Sequence, residues 1–275
     1  MIPILKKGKD KTNPSNYRPI SLLSCVGKLM ERIITFRLTW YLESHNILSS
    51  TQTGYRQHRS TEDQLAYLAQ DIENAFQEKC KVLVVFFDLS RAFDRVWKKG
   101  LQLKLLKAGI TGSMYKWISS FLYQRTAMVK LDRSMSDQVN LKEGVPQGSV
   151  ISPMLFLLYI NDLTTSLPPR VSNTLHADDL AAWTSAEYTT TATYVIQNTV
   201  NKISNWAHDN CMEINCSKTQ ATLFTLSTAK EKITLKLNDE DIPQVENPKF
   251  LGVTLVQDSH GRHILTKQQR NQPKS

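Results

Sequence analysis

Val82-Leu83-Val84-Val85-Phe86-Phe87-Asp88 is six apolar residues closed by a carboxylate. The run is rich in β-branched and aromatic side chains, which predicts a buried strand with Asp88 at its end. Ninety positions later (178 − 88), Asn173 to His176 and Leu180 to Thr184 flank Ala177-Asp178-Asp179. That pattern predicts two short strands joined by a tight acidic turn. Alone, an aspartate at a strand end commonly caps a turn, and an Asp-Asp pair is commonly a hairpin tip. Together, three carboxylates on two strand ends that meet in space repel one another and are costly unless cations neutralise them. Hard oxygen ligands favour Mg²⁺. Two such ions ~3.5–4 Å apart activate an attacking hydroxyl and stabilise the leaving oxygen of a displacement at phosphorus.

The remaining composition suits such a centre. With 41% hydrophobic and 21% charged residues among 275, the chain can bury a sizeable core, and ten glycines and ten prolines are too few for a low-complexity chain. The net charge is +9, and the first 60 residues hold most of it: ten Lys and Arg against three Asp and Glu, or +7. A basic lobe fits a polyanion such as nucleic acid or a nucleoside triphosphate, as well as a solvated surface. Cys25, Cys80, Cys211 and Cys216 form no disulfide framework, and no secretory leader follows Met1, so a reduced intracellular compartment is expected. Neither His208 with Cys211 and Cys216 nor the pair His260 and His263 has zinc-site spacing. The longest apolar run, Val150 to Ile160, holds Ser152 and Pro153 and is too short to span a bilayer, so no membrane partner is expected.

Local patterns fill in an α+β chain, helices packed on a mostly antiparallel sheet. Ile2 to Leu5 reads as a strand and Lys6 to Ser15 as a basic loop. Gly27 to Leu42 has helical spacing through Met30, Ile33, Ile34, Arg37, Leu38 and Tyr41. Ser60-Thr61-Glu62-Asp63 starts a helix with a stripe of Leu65, Leu68, Ala69, Ile72 and Phe76. Leu101 to Lys107 and Ser113 to Tyr123 read as helices, and Ala127 to Leu131 with Gln138 to Leu141 as a hairpin around Asp132. Ser152-Pro153 reads as a cap and first turn of a helix buried on every side. Thr190 to His208 is an amphipathic helix. Thr219 to Thr225, Ile233 to Leu237 and Phe250 to Val256 read as strands, and the polar stretch from Gln257 as a frayed tail.

Further segments can serve a triphosphate. Gly144-Val-Pro-Gln-Gly-Ser149 is a kinked loop that lets backbone approach a ligand and presents Gln147. Lys6, Lys7 and Arg18 offer charge and forked hydrogen bonds. Gln52-Thr-Gly-Tyr-Arg56 and Arg59 add arginines before a helix N-terminus.

In this order and at these separations, the segments resemble a reverse transcriptase of the non-LTR, jockey-like retrotransposon kind. The resemblance runs from about Ile2 to Val256. It rests on Asn16 to Ser24, Gln52 to Asp63, Phe87 to Asp94, Gly144 to Ser149 with Ser152-Pro153, Ala177 to Asp179, Asn215 to Thr219 and Lys249 to Gly252. It implies a right-hand polymerase fold with an antiparallel palm sheet and the thumb largely absent. Fingers span 1–80, a palm 81–256 with a finger-like excursion about 95–142, and a polar tail 257–275. It implies RNA-directed DNA polymerase activity with an RNA template, a DNA primer and dNTP as partners. Two Mg²⁺ ions, replaceable by Mn²⁺, would be held by Asp88, Asp178, Asp179 and the Leu89 carbonyl. Gln147 and Gly148 are implied to contact nucleotide and template. Lys218 is implied as proton donor to departing pyrophosphate, or else is a solvated turn lysine. Lys249 to Gly252 resembles the primer-gripping hairpin.

Phe93 stands where the family places an aromatic ring beneath the sugar. A ring there clashes with a ribose 2′-hydroxyl and so favours DNA over RNA synthesis; otherwise Phe93 is core, and its neighbour Asp94 makes structural hydrogen bonds. Two positions depart from the family pattern. His176 replaces the usual Tyr or Phe and can charge at mildly acidic pH, and His58 replaces a common glycine. The second expectation is a truncated or domesticated relic that binds nucleic acid without polymerising.

Overall fold

The computed structural model describes residues 1–227 and 231–256, with the backbone alone at 257 and 263–267. In chain order the elements are β1 (Ile2–Leu5), β2 (Tyr17–Ile20), α1 (Cys25–Ser44), α2 (Thr61–Gln77), β3 (Lys81–Asp88), α3 (Lys98–Lys107) and α4 (Gly112–Leu122). Four two-residue strands follow, β4 (Thr126–Ala127), β5 (Lys130–Leu131), β6 (Ser134–Met135) and β7 (Val139–Asn140). Next come α5 (Ser152–Ile160), β8 (Ser172–His176), β9 (Asp179–Ala186), α6 (Thr189–Asp209) and β10 (Gln220–Phe224). β11 (Lys236–Leu237), β12 (Glu240–Asp241), β13 (Lys249–Phe250), β14 (Val253–Gln257) and β15 (His263–Lys267) complete the described elements. They form two compact units: Met1–Ser49 with Arg91–Asn161, and Ser50–Ser90 with Asp162–Ser275.

In the first unit, β1 and β2 pair antiparallel from Ile2 opposite Ile20 to Leu5 opposite Tyr17, which closes the basic loop between them. The Ser24 hydroxyl caps α1. This helix buries Glu31, Ile34, Leu38 and Leu42, so Ile34 and Leu38 of the expected stripe face inward while Met30 and Ile33 are exposed. α5 is buried along its whole length, as its unbroken apolar composition requires. Its cap differs from the expected one. The position before the helix is Ile151, which makes no side-chain cap, and the Ser152 hydroxyl is buried without a partner. The carboxylate of Glu31, itself buried, accepts instead from the amides of Val150 (2.7 Å) and Ile151 (3.3 Å) and from the Ser149 hydroxyl. A negative charge at a helix N-terminus answers both the orphan amides and the helix dipole. The expected hairpin around Asp132 is present as two short ladders, β4 with β7 and β5 with β6.

The second unit is built on an antiparallel four-stranded sheet in the order β10-β3-β9-β8. Alternation along β3 explains its unbroken apolar run. Val82, Val84 and Phe86 join Leu65, Leu68 and Ile72 of α2 and Ala181 and Trp183 of β9 in one core. Leu83 and Val85 point to the opposite face, where α6 packs. A strand covered on both faces has no place for polar residues until its end. α2 starts with a capping box, Ser60 with Asp63, and Trp183 donates its indole N–H to Asp71 at 2.9 Å. Two expected strands are shorter than their composition suggests. Ile233 to Leu237 pairs only at β11, because the Ile233 amide bonds to the side chain of Gln244 at 3.0 Å rather than to a neighbouring strand. Phe250 to Val256 is broken by Leu251 and Gly252, both at positive φ (48° and 80°), which turns β13 back onto β14. In the expected frayed tail, β15 pairs with β14 from Val253 opposite Lys267 to Gln257 opposite His263; the rest lies outside the described residues. Among the described residues, no helix is long and apolar enough to cross a membrane.

Glu31 generates a stability prediction. Glu31→Ala leaves buried amides and a hydroxyl unpaired and should destabilise the protein by about 2–3 kcal/mol, with Glu31→Gln losing less. Urea denaturation followed by circular dichroism checks the order of the two midpoints.

Candidate active site

The acidic residues come together through strand register. β3 and β9 pair so that Asp88 lies directly opposite Asp179, two residues beyond the Phe86–Ala181 pair and on the same face of the sheet. Cross-strand partners have Cα atoms about 4.5–5.5 Å apart. Asp178 precedes Asp179 in the two-residue turn between β8 and β9, closed by the pair His176–Asp179. The packing around its carboxyl, then the negative charges of Asp178 and Asp88, push the Asp179 pKa up to about 6. By surface area Asp179 is exposed, so the charge repulsion is the firmer of these causes.

The end of β3 is braced by the segment before β10. The Asn215 amide donates to the Asp88 carbonyl at 2.8 Å, and the Ser90 amide to the Glu213 carbonyl at 2.8 Å. Leu89 sits opposite Ile214 between these two bonds. The ammonium of Lys218 lies 3.2 Å from Asp88 Oδ2, so Lys218 is an ion-pair partner of Asp88 rather than an isolated turn lysine. The side chains are 60% and 36% exposed, so the pair stabilises by no more than about 1 kcal/mol.

The acidic turn is clamped by a residue whose role is not legible in the sequence. Gln52 is fully buried; its Oε1 accepts from the amides of Ala177 (3.1 Å) and Gly54 (2.9 Å), and its Nε2 donates to the Ala177 carbonyl at 3.5 Å. Ala177 has a φ of 55°, a conformation ordinarily left to glycine, asparagine or aspartate. Gly54 passes so close that a Cβ there would lie 2.3 Å from the Ala177 nitrogen. The same loop fixes His176, whose Nδ1 is 3.0 Å from the Thr53 hydroxyl. Burial holds the His176 pKa below its ordinary value, against the opposing charge of Asp178. Arg56, expected to face an anion, donates to the Gln52 carbonyl at 2.9 Å.

The remaining candidates lie in the first unit. Gln147 donates to Asp94 at 3.0 Å, and its carbonyl accepts from the Ser21 amide at 2.7 Å. Gly148 has a φ of 96°, and a Cβ there would meet the Ser21 carbonyl oxygen at 3.0 Å. Asp94 thus makes the structural hydrogen bonds expected of it, and its burial raises its pKa. Phe93 is half-buried and stacks on Phe156 with centroids 4.5 Å apart. Arg18 stands in β2 opposite Ile4, and Lys6 follows β1, its ammonium 3.2 Å from the Ser15 carbonyl; Lys7 and Arg18 are exposed.

The donor set of Asp88, Asp178 and Asp179 is hard oxygen, and its repulsion is what a divalent cation relieves, so the residues fit Mg²⁺ in their chemistry. Among the described residues, no group of three or more His, Cys, Asp or Glu side chains is gathered closely enough to hold a metal ion as it stands.

A family model described as reverse transcriptase (RNA-dependent DNA polymerase) matches residues 4–255. The chain is 34% identical over 262 residues to a probable RNA-directed DNA polymerase from transposon BS of Drosophila melanogaster, covering 93% of this chain and 29% of that protein. It is 33% identical over 276 residues to the RNA-directed DNA polymerase from mobile element jockey of the same species, covering 98% and 30%. The chain therefore spans less than a third of these relatives' length. Among solved structures, apo telomerase from Candida tropicalis, truncated from its C-terminal domain, superposes with a TM-score of 0.60 at 12% identity, covering 88% of this chain and 45% of that one. At that identity the likeness concerns the fold.

The clamp and the charges each have a measurable consequence. Gln52→Ala leaves the buried Ala177 amide unpaired and should lower stability by about 1–3 kcal/mol, read as a drop in the urea midpoint. For Asp179, the folded pKa of about 6 lies above the ordinary 3.8. The folded chain then holds a proton that the unfolded chain releases, so stability falls as pH rises through that window and stays lost above it. Without divalent cation, Asp179→Asn should melt at a higher temperature than the parent above pH 6 and at the same temperature below pH 3.8; a calorimetric pH series decides it.

Proposed function

The chain belongs to the reverse transcriptase family, RNA-dependent DNA polymerases, and on that footing we propose that it extends a DNA primer along an RNA template. The primer 3′-hydroxyl attacks the α-phosphorus of a dNTP, a new phosphodiester bond forms, and pyrophosphate leaves. The observation that carries this reading is the register that sets Asp88 across from Asp179, beside the Asp178 turn.

Asp88, Asp178 and Asp179, with the Leu89 carbonyl, would hold two Mg²⁺ ions, and Mn²⁺ could replace them. When bound, such ions make the primer hydroxyl a better nucleophile and offset charge on the leaving oxygen. The protein's own groups do the remainder. Lys6, Lys7 and Arg18 neutralise the triphosphate. Gln147 and Gly148 position nucleotide and template, with the Gln147 amide oriented by Asp94. Phe93, stiffened by its stack on Phe156, presents a ring that excludes a 2′-hydroxyl. Lys218 leaves Asp88 and gives a proton to pyrophosphate. We assign the β10-β3-β9-β8 sheet to the palm and residues before it to the fingers. The basic first 60 residues support a nucleic-acid partner.

A second reading, nucleic-acid binding without polymerisation, draws on the lack of a gathered three-ligand group among the described residues. Primer extension on a short RNA template separates the two. Polymerisation predicts Mg²⁺-dependent incorporation that falls at least about a thousandfold in Asp88→Asn with the fold kept, as loss of electrostatic stabilisation at a reacting centre does. Binding with no incorporation at any Mg²⁺ or Mn²⁺ level supports the second reading. Phe93→Ala should raise incorporation of rNTP relative to dNTP; an unchanged ratio removes Phe93 from sugar selection.

A further inference from the structure

Helix α1 has two apolar faces. One, with Ile34, Leu38 and Leu42, is buried. The other stands in solvent: Val26, Leu29, Ile33, Phe36 and Trp40 are 77, 60, 47, 77 and 63% exposed. Single exposed apolar side chains are ordinary, but five in a line mark a docking surface. Their spacing alternates three and four residues, the a/d repeat of a coiled-coil seam. At about 100° per residue the line runs on the side of the helix opposite the buried face. Glu43, seven residues after Phe36, takes the next place in the repeat and ends the seam.

The edges of the seam say what fits it. Arg32 and Arg37, both exposed, flank it on opposite sides, at the g and e places of the heptads. In a parallel pair of α1 helices, Arg32 of one copy would meet Arg37 of the other, which opposes parallel self-pairing. A lipid surface is met by helices rich in Lys and Arg across a whole polar face, whereas the face of α1 opposite the seam is packed into protein.

We propose that α1 docks an amphipathic helix of a protein partner, apolar at its own a and d places and bearing carboxylates at the flanking e and g places. The inference does not rest on polymerase chemistry, since none of these residues belongs to the candidate active site.

The test titrates the full chain into a fluorescent designed helix of about four heptads, Leu at a and d and Glu at e and g, read by anisotropy. A second probe carries Lys at e and g. The acidic probe should bind at least about tenfold more tightly than the basic one. Phe36→Glu should weaken it by about tenfold or more, as loss of a buried aromatic anchor does, with an unchanged circular dichroism spectrum. Because Phe36→Glu also adds charge, Arg32→Glu with Arg37→Glu is the second variant, and it should reverse the preference between probes. No binding, or equal binding of both probes, overturns the proposal. So does a dimer of the parent chain in sedimentation velocity that Phe36→Glu abolishes, which would assign the face to a second copy. Flotation with phosphatidylserine vesicles that Phe36→Glu abolishes, without probe binding, would assign it to lipid.

Discussion

Two carboxylates directly opposite each other in an antiparallel pair destabilise a sheet, and the second unit of this protein is arranged to hold that pair in place. Asp88 cannot move away from Asp179 without slipping the β3–β9 register, and a slip by one residue would turn Val82, Val84 and Phe86 out of the core they share with α2. The segment around Asn215 pins the Asp88 carbonyl from the other side. The Asp178 turn is held by Gln52, which satisfies both backbone groups of a left-handed Ala177. Hydrophobic burial thus fixes the register, the register fixes the charges, and the repulsion that results contributes to the raised pKa of Asp179. Lys218 supplies one positive charge to this cluster.

What the sequence discloses and what it hides divide along chain separation. The β3 run, the acidic turn, the α2 capping box and the buried α5 all follow from neighbours a few positions apart, through side-chain period, capping chemistry and apolar composition. The α5 cap does not, because its carboxylate, Glu31, stands 119 residues from Val150. Ser152 is the local candidate, and a long-range acceptor displaces it. The Lys218–Asp88 pair spans 130 residues and the Gln52–Ala177 clamp 125, and no local pattern announces either. In Gln52 to Arg56 the arginine draws attention as a cation, whereas the buried glutamine carries the structural role. Residue type alone makes His176 titratable; the burial that lowers its pKa is set by packing the local sequence does not show. Helical spacing in α1 suggests one stripe, although its apolar residues fall on two faces.

Family membership and site geometry support the same chemistry by separate routes. The family match covers residues 4–255, yet the chain spans 29% of one relative and 30% of another. The proposed catalytic acids lie at the end of a sheet covered on both faces, while the apolar seam of α1 lies in the other unit and asks for a protein partner.

If the polymerase reading is right, divalent cations balance the repulsion between Asp88, Asp178 and Asp179. A crystal structure with Mn²⁺, an RNA–DNA primer-template and a non-hydrolysable dNTP decides the matter through the anomalous signal of the metal. Two peaks about 3.5–4 Å apart should lie within coordination distance of these carboxylates, with Lys218 released from Asp88. Peaks elsewhere, or none with Lys218 still paired to Asp88, would contradict it.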